Sequence, residues 1–183
     1  MNFDAFSHGQ IKSKLWLCEK LEPLLPEVAN VTILGSWYNV LGFMLLTRNP
    51  NRYGYIKGID HNMESIETSD KICDYWNIEG RVVQNILNDV NKVQYFDSTV
   101  VINCSVEHIP DKEWFYKIHP GTLVCLQSSN VVEEKEPWNI KNPNRSLEEF
   151  YKKYELSEVL YCNELPIRYE NWGYDRYMMI GIK

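Results

Sequence analysis

Residues 158–182 read EVLYCNELPIRYENWGYDRYMMIGI, and this C-terminal stretch decides the predicted fold. It contains two predicted strands, Glu158 to Glu164 and Tyr174 to Ile182, separated only by the connector Leu165 to Gly173. Parallel neighbours need a crossover of about a dozen residues or more, usually helical. The short connector, which contains Pro166, therefore predicts an antiparallel pair.

Upstream of that pair, short β-branched runs alternate with amphipathic segments. The predicted strands are Val31 to Leu34, Tyr55 to Ile59, Arg81 to Leu87, Ser98 to Ile102 and Thr122 to Gln127. The predicted helices are Ile11 to Leu25, Ser36 to Leu45, Met63 to Trp76, Asp111 to Ile118 and Ser146 to Tyr154. This alternation predicts an α/β fold: a doubly wound, mostly parallel seven-stranded sheet with an antiparallel last strand. An ordinary dinucleotide-binding sheet instead ends in parallel strands.

Length, charge and composition limit the class of protein. The chain of 183 residues predicts a single domain, 1–183, whose N-terminal helical segment 1–26 packs on the sheet. The net charge of -6 removes the general attraction to phosphate backbones, so nucleic acid is disfavoured as a partner. The start lacks the basic region of a signal peptide, and the apolar stretch Val40 to Leu46 is too short to span a bilayer. We therefore expect a soluble, cytoplasmic protein with no membrane partner.

Cysteine and histidine spacing predicts no metal site. The five cysteines form no C-x-x-C pair, and the four histidines are scattered without the i, i+4 spacing that zinc sites use. We expect free thiols and no bound metal.

Candidate ligand-binding residues follow successive strands, because ligands of open α/β sheets bind beyond the carboxyl ends of the strands. Gly35 ends the first strand and lets a backbone approach a ligand closely, although a single glycine is also typical of a plain turn. Asp60 ends the second strand and can accept both hydrogen bonds of a ribose diol, or simply stabilise the start of the next helix. Asp89 suits either an adenine amine or a turn.

In this arrangement the sequence resembles the class I S-adenosylmethionine-dependent methyltransferases, from Gln10, Ser13 and Lys14 through the last strand. The resemblance implies a Rossmann-like methyltransferase fold and S-adenosylmethionine as cofactor. The implied cofactor-binding positions are Lys14, Gly35, Ser36, Trp37, Asp60, His61, Met63, Asn88, Asp89, Asn103 and Ser105. The run Asn103 to His108 is also similar to small virus-encoded methyltransferase-like proteins.

The resemblance gives each group of positions a role. Gly35, Ser36 and Trp37 would contact the methionine part of the cofactor, and Asp60 its ribose. His61 and Met63 would flank the adenine, and Asn88 and Asp89 would meet its edge. Asn103 and Ser105 would lie near the transferable methyl group.

The sequence departs from the family at two places. The family's turn has several glycines, whereas Trp37 and Tyr38 give a bulkier floor that reshapes or blocks the methionine pocket. The run Asn103 to Val106 does not match the Asn/Asp-Pro-Pro-aromatic motif of enzymes that methylate the exocyclic amines of bases. Methylation of adenine or cytosine amines is therefore disfavoured.

If the acceptor must lose a proton, His108 or Glu107 is the predicted catalytic base, with a structural helix-start role as the alternative for His108. The segment Tyr169 to Tyr174 supplies either an aromatic wall over an acceptor or the packing of a hairpin loop. The segment Asn130 to Arg145 is a predicted lid-like loop. Its Glu133, Glu134 and Glu136 favour a cationic or small acceptor, or form a solvated face.

These observations predict a methyltransferase that acts on a small-molecule or protein acceptor. The alternative is a catalytically inactive methyltransferase-like binding module, suggested by the single-glycine turn and Trp37. A nicotinamide-dependent dehydrogenase is weaker, because both the glycine signature and a parallel sixth strand are missing.

Overall fold

The computed structural model describes residues 3–76, 78, 82–95, 97–135 and 138–183. In this part of the chain one seven-stranded sheet has the order β3-β2-β1-β4-β5-β7-β6. The strands are β1 Ala29–Leu34, β2 Tyr53–Asp60, β3 Val83–Leu87, β4 Val100–Asn103, β5 Leu123–Ser129, β6 Glu158–Arg168 and β7 Gly173–Ile182. The first residue of the predicted third strand, Arg81, lies outside the described residues.

The α-helices are α1 His8–Leu21, α2 Val40–Arg48, α3 Met63–Tyr75, α4 Glu113–Tyr116 and α5 Leu147–Lys153. Short 3-10 turns cover Phe3–Phe6, Glu22–Leu24, Val90–Lys92 and Val106–His108. Two helix starts follow local capping chemistry, since Asn62 accepts a hydrogen bond from the Ser65 amide and Ser146 from the Glu149 amide.

The pairing of the strands confirms the predicted fold class. Strands β1 to β5 pair in parallel with their neighbours, whereas β7 is antiparallel to both β5 and β6. Only residues 169–172 join β6 to β7. Because so short a connector cannot reach the opposite end of a strand, β7 must reverse direction.

Apolar side chains fill the space on both faces of the sheet. In β4, Val100 and Ile102 belong to one core cluster and Val101 to the other, as the two-residue repeat of a strand requires. Trp16 and Leu17 of α1 lie in the first cluster, so the N-terminal helical segment packs on the sheet. The single-domain organisation of 1–183 stays a prediction.

The predicted start of the second helix at Ser36 is wrong, because α2 begins at Val40. Trp37 and Asn39 both have a φ of 52°, in the left-handed region that a right-handed helix cannot include. Their segment instead forms a turn in which the Asn39 amide donates to the Ser36 carbonyl oxygen. Five residues, 35–39, therefore separate the end of β1 from the start of α2.

Candidate functional site

The candidate site lies where the strand order reverses. Strands β1 and β4 are neighbours in the sheet, but the chain leaves β1 toward β2 and leaves β4 toward β5, on the opposite side. The two connections therefore diverge and open a crevice at the carboxyl ends of these strands, beside Leu34 and Asn103.

A cleft of about 880 Å³ occupies this crevice, a volume within the usual range of small-molecule sites. Most of the predicted site residues line it: Lys14, Gly35, Ser36, Trp37, Asp60, His61, Asp89, Ser105, Glu107 and His108. The lining does not include Met63, Asn88 or Asn103. The structure thus brings together predicted positions that are spread over about a hundred residues of chain.

The turn after β1 forms one wall of the cleft. Gly35 has a φ of 59°, which a residue with a Cβ adopts only with strain. A Cβ there would lie 3.4 Å from the Ser105 Cβ, an ordinary contact, so the backbone angle rather than lack of space favours glycine. Trp37 is half-buried and stacks on Tyr38 with ring centroids 5.1 Å apart. The indole therefore lines the cleft without closing it.

Asp60 joins this turn to the start of α3. Its Oδ2 accepts a hydrogen bond from the Trp37 amide at 2.8 Å, and its Oδ1 accepts one from the Asn62 amide at 2.9 Å. His61 is exposed, and its Nδ1 lies 3.8 Å from Asp60 Oδ1. Each carboxylate oxygen can accept a further hydrogen bond, so Asp60 still has acceptor capacity toward the cleft that it lines.

A polar network behind the turn fixes its position. Asn39 Nδ2 donates to Asn85 Oδ1 at 3.0 Å, and Ser69 Oγ donates to the same oxygen at 2.8 Å. Gly58 of β2 makes room for this network, because a Cβ there would lie 2.6 Å from Asn39 Nδ2. Sequence analysis missed both Asn39 and Gly58. A glycine inside a strand often marks a place where another part of the chain packs closely against the backbone, and this signal could have indicated Gly58.

Three predicted cofactor positions, Met63, Asn88 and Asn103, do not line the cleft, although two of them contact residues that do. Asn103 is fully buried, and its Oδ1 accepts from the Ser105 amide at 2.9 Å, so it shapes the turn after β4. The Asn88 amide donates to the Asp60 carbonyl oxygen, while its Oδ1 accepts from the Asp89 amide. Met63 is the first residue of α3 and is 54% exposed.

Asp89 does line the cleft, and it also has the turn-forming role considered from sequence. Its Oδ1 accepts a hydrogen bond from the Asn91 amide at 2.9 Å and caps the 3-10 turn Val90–Lys92. The carboxylate is thereby held at the rim near the ends of β2 and β3.

Glu107 forms a buried ion pair. Arg176 Nη1 donates to Glu107 Oε1 at 2.7 Å, and Arg176 Nη2 donates to the Cys104 carbonyl oxygen. Glu107 is 2% exposed and Arg176 is 9% exposed. A catalytic base takes up a proton, which would remove the charge that Arg176 pairs with inside the protein. The geometry therefore favours a structural role for Glu107.

Arg176 was missed by sequence analysis. It lies in β7 between Tyr174 and a run of buried apolar residues. A charged residue inside such a strand is the signal that could have pointed to it, because charges are rarely buried without a partner.

His108 is exposed at the edge of the cleft, and its Nδ1 lies 3.4 Å from the Asn139 carbonyl oxygen. Across the cleft, Lys14 Nζ donates to Gln10 Oε1 at 2.6 Å. Burial lowers the pKa of Lys14 to about 8, and burial raises the pKa of the nearby Cys104 thiol to about 11. The amine can therefore exchange a proton near neutral pH, whereas the thiol stays neutral.

The two predicted loop segments contribute aromatic rather than acidic residues to the cleft. Trp138 and Tyr174 line it, whereas Glu133 and Glu134 are exposed and do not. Glu136 lies outside the described residues. Within the described ranges, no group of three or more His, Cys, Asp or Glu side chains is placed to hold a metal ion.

Comparison with known proteins bears on the fold. No protein-family model matches the sequence, and no curated protein gives a significant match. The structure is similar to YcgJ from Bacillus subtilis, with a TM-score of 0.71 and 12% identity over 94% of this chain and 98% of that one. The fold is the class I methyltransferase fold.

Two further solved structures carry the same fold. The N-methyltransferase NodS from Bradyrhizobium japonicum has a TM-score of 0.65 and 10% identity over 96% of this chain and 97% of that one. Magnesium protoporphyrin IX methyltransferase from Synechocystis was crystallised with bound S-adenosylmethionine. It has a TM-score of 0.63 and 10% identity over 93% of this chain and 76% of that one. None of these structures supports the predicted similarity between the run Asn103 to His108 and virus-encoded proteins.

No helix in the described ranges has the length and apolar character needed to cross a membrane.

Proposed function

We propose that this protein is an S-adenosylmethionine-dependent methyltransferase that acts on a small-molecule or protein acceptor. One observation carries the proposal: the Gly35 turn, the Asp60 carboxylate and Ser105 meet in one cleft at the switch point of a methyltransferase fold. This is the half of the cleft that we call the cofactor half.

The residues of the cofactor half fit the proposed cofactor. Asp60 has free acceptor capacity on a carboxylate that two backbone amides already hold in place, as a ribose diol requires. Ser36 Oγ is buried and has no hydrogen-bond partner among the described residues, so the turn after β1 presents an unused polar atom beside the cleft. We assign the ribose to Asp60 and the methionine part to Gly35, Ser36 and Trp37.

When bound, the cofactor supplies a methyl group on a positively charged sulfur. Methyl transfer depends mainly on an in-line arrangement of acceptor and sulfur, so this chain contributes chiefly position and exclusion of water. Of the two predicted bases, His108 remains a candidate because its ring is exposed at the cleft, while Glu107 is committed to Arg176.

The alternative is a methyltransferase-like binding module without turnover. Trp37 favours it, because its indole lines the wall where the proposed methionine part would lie. A cleft of about 880 Å³ nevertheless leaves room for a ligand of nucleotide size beside that ring.

We also propose a cytoplasmic location, since all five cysteines are free thiols.

The test is calorimetric titration with S-adenosylhomocysteine and S-adenosylmethionine, using wild type, Asp60→Ala and Asp60→Asn. Hydrogen bonds to a charged group contribute about 1.5–3 kcal/mol each, so Asp60→Ala should weaken binding at least tenfold. Asp60→Asn retains one acceptor oxygen and should have an intermediate affinity. Asp97→Ala is the matched control, because Asp97 is exposed and lies outside the cleft lining.

Wild-type affinity in Asp60→Ala would exclude the ribose role. Failure of wild type to bind either compound would favour the binding module. Binding followed by methyl transfer to an added acceptor would exclude that alternative.

A further inference from the structure

The cleft continues beyond the cofactor half, toward the ends of β4, β5 and β7. We call this second region the acceptor half. Its lining includes Lys14, Cys104, Ser129, Trp138, Tyr174 and Arg176. These side chains come from α1, the turn after β4, the end of β5, the loop after β5, and β7, so the region exists only in the folded chain.

Aromatic rings form one wall of the acceptor half. Trp172 stacks on Tyr169 with centroids 4.4 Å apart and planes 9° apart, and on Tyr174 with centroids 5.9 Å apart. Trp138 meets the Trp172 ring at 5.5 Å and the Tyr174 ring at 6.3 Å. The stack therefore extends from the tip of the β6–β7 hairpin into the cleft.

The wall is held against α1. The Gly9 amide donates to the Tyr169 hydroxyl oxygen at 3.1 Å. A Cβ on Gly9 would lie 2.6 Å from the Tyr174 hydroxyl oxygen and 2.7 Å from that of Tyr169, so only glycine lets the two rings approach this closely. Rings fixed in this way lose little entropy when a ligand stacks on them.

Lys14 faces the same region from α1, about one and a half turns beyond Gly9. Its ammonium donates to Gln10, and the charged or titratable groups that act on it are Asp4, Cys104 and Arg176. The Arg176 charge is already paired with Glu107. Lys14 is therefore the basic group that α1 contributes to this region of the cleft, and it can exchange a proton with a ligand.

Because Lys14, Trp138 and Tyr174 line the same cleft, we propose that the acceptor half binds a planar hydroxyaromatic compound. Its ring stacks on Trp138 and Tyr174, and its hydroxyl group lies at Lys14. This inference rests on the proposed function and names its acceptor class. A cationic acceptor would meet the like charge of protonated Lys14, and the exposed Glu133 and Glu134 do not line the cleft.

In the proposed reaction, the neutral Lys14 amine takes the hydroxyl proton. The acceptor oxygen then forms a bond to the methyl carbon as the carbon–sulfur bond breaks, with its electron pair remaining on sulfur. The products are the methyl ether, the neutral thioether and protonated Lys14, which returns the proton to water. Lys14 is well placed for this exchange because burial brings its pKa to about 8.

The test measures binding of three probes in the presence of saturating S-adenosylhomocysteine. 4-Nitrophenol has a ring and an ionisable hydroxyl, nitrobenzene has the ring alone, and cyclohexylamine is cationic without an aromatic ring. At a pH low enough to keep free 4-nitrophenol protonated, we expect it to bind about tenfold more tightly than nitrobenzene and to gain the visible absorption of its ionised form on binding. Cyclohexylamine should bind more weakly than both.

Variants separate the two contributions. Lys14→Met should remove both the ionised-form absorption and the tenfold preference, whereas Trp138→Leu should weaken both aromatic probes about three- to tenfold. Two control variants should keep the wild-type affinities: Lys20→Met, exposed on the same helix, and Trp76→Leu, which is 69% exposed and outside this cleft.

Equal affinity for 4-nitrophenol and nitrobenzene, or tightest binding of cyclohexylamine, would overturn the inference. So would a lack of probe binding by protein that does bind S-adenosylhomocysteine, and the proposed function would then stand without it. If S-adenosylhomocysteine itself does not bind, both proposals fall.

Discussion

Removing Arg176 should destabilise the protein strongly, because it leaves a buried carboxylate without its counter-charge. Arg176 Nη1 lies 2.7 Å from Glu107 Oε1, and the exposed fractions are 9% and 2%. In Arg176→Met, the contact to Oε1 that remains within the described part of the chain is the Ser129 hydroxyl at 3.5 Å, and Oε2 has no partner there. Breaking a buried ion pair from one side costs about 3–5 kcal/mol.

That loss is a large part of the total stability of a domain, which is typically about 5–15 kcal/mol. Urea unfolding followed by tryptophan fluorescence measures it directly. The double variant Glu107→Gln/Arg176→Met removes the orphaned charge as well and should recover most of the loss. The exposed pair Glu148 and Lys152 is the matched control, and breaking it should change stability little.

The reasoning would be refuted if the unfolding free energy of Arg176→Met lay within about 1 kcal/mol of the wild-type value. It would also be refuted if the double variant were no more stable than Arg176→Met.

Two further perturbations follow from the geometry of the cleft. Gly58→Ala places a Cβ 2.6 Å from Asn39 Nδ2, so it should destabilise the fold by about 1–3 kcal/mol and weaken S-adenosylhomocysteine binding in calorimetry. Gly54→Ala, in the same strand but outside the cleft, should lose stability while its ligand affinity stays at the wild-type value. Burial lowers the pKa of Lys14 from 10.5 to about 8, so between these values the unfolded chain holds more protons than the folded one. The unfolding free energy of wild type minus that of Lys14→Met should therefore rise with pH across that window. If urea titrations show no change in this difference with pH, the lowered pKa of Lys14 is contradicted.

The fold could be predicted in detail where local signals act alone. Asn62 and Ser146 cap their helices as their residue types predict, and the short connector before β7 fixes its antiparallel direction. The predicted helix start at Ser36 failed because Trp37 and Asn39 adopt left-handed backbone angles. Contacts from outside the segment accompany that conformation: the Asp60 carboxylate accepts from the Trp37 amide, and Asn39 donates to Asn85.

The sequence by itself determined the order of strands and helices and placed Gly35 and Asp60 at neighbouring strand ends, because periodicity, capping and connector length are local properties. Only the tertiary structure decided that Glu107 is paired with Arg176, and that α1 and the β6–β7 hairpin together line the acceptor half. The Gly9 amide and the Tyr169 hydroxyl, which join that helix to the hairpin, are 160 residues apart in the chain. Such contacts arise from packing across the sheet, and no local pattern in the sequence encodes them.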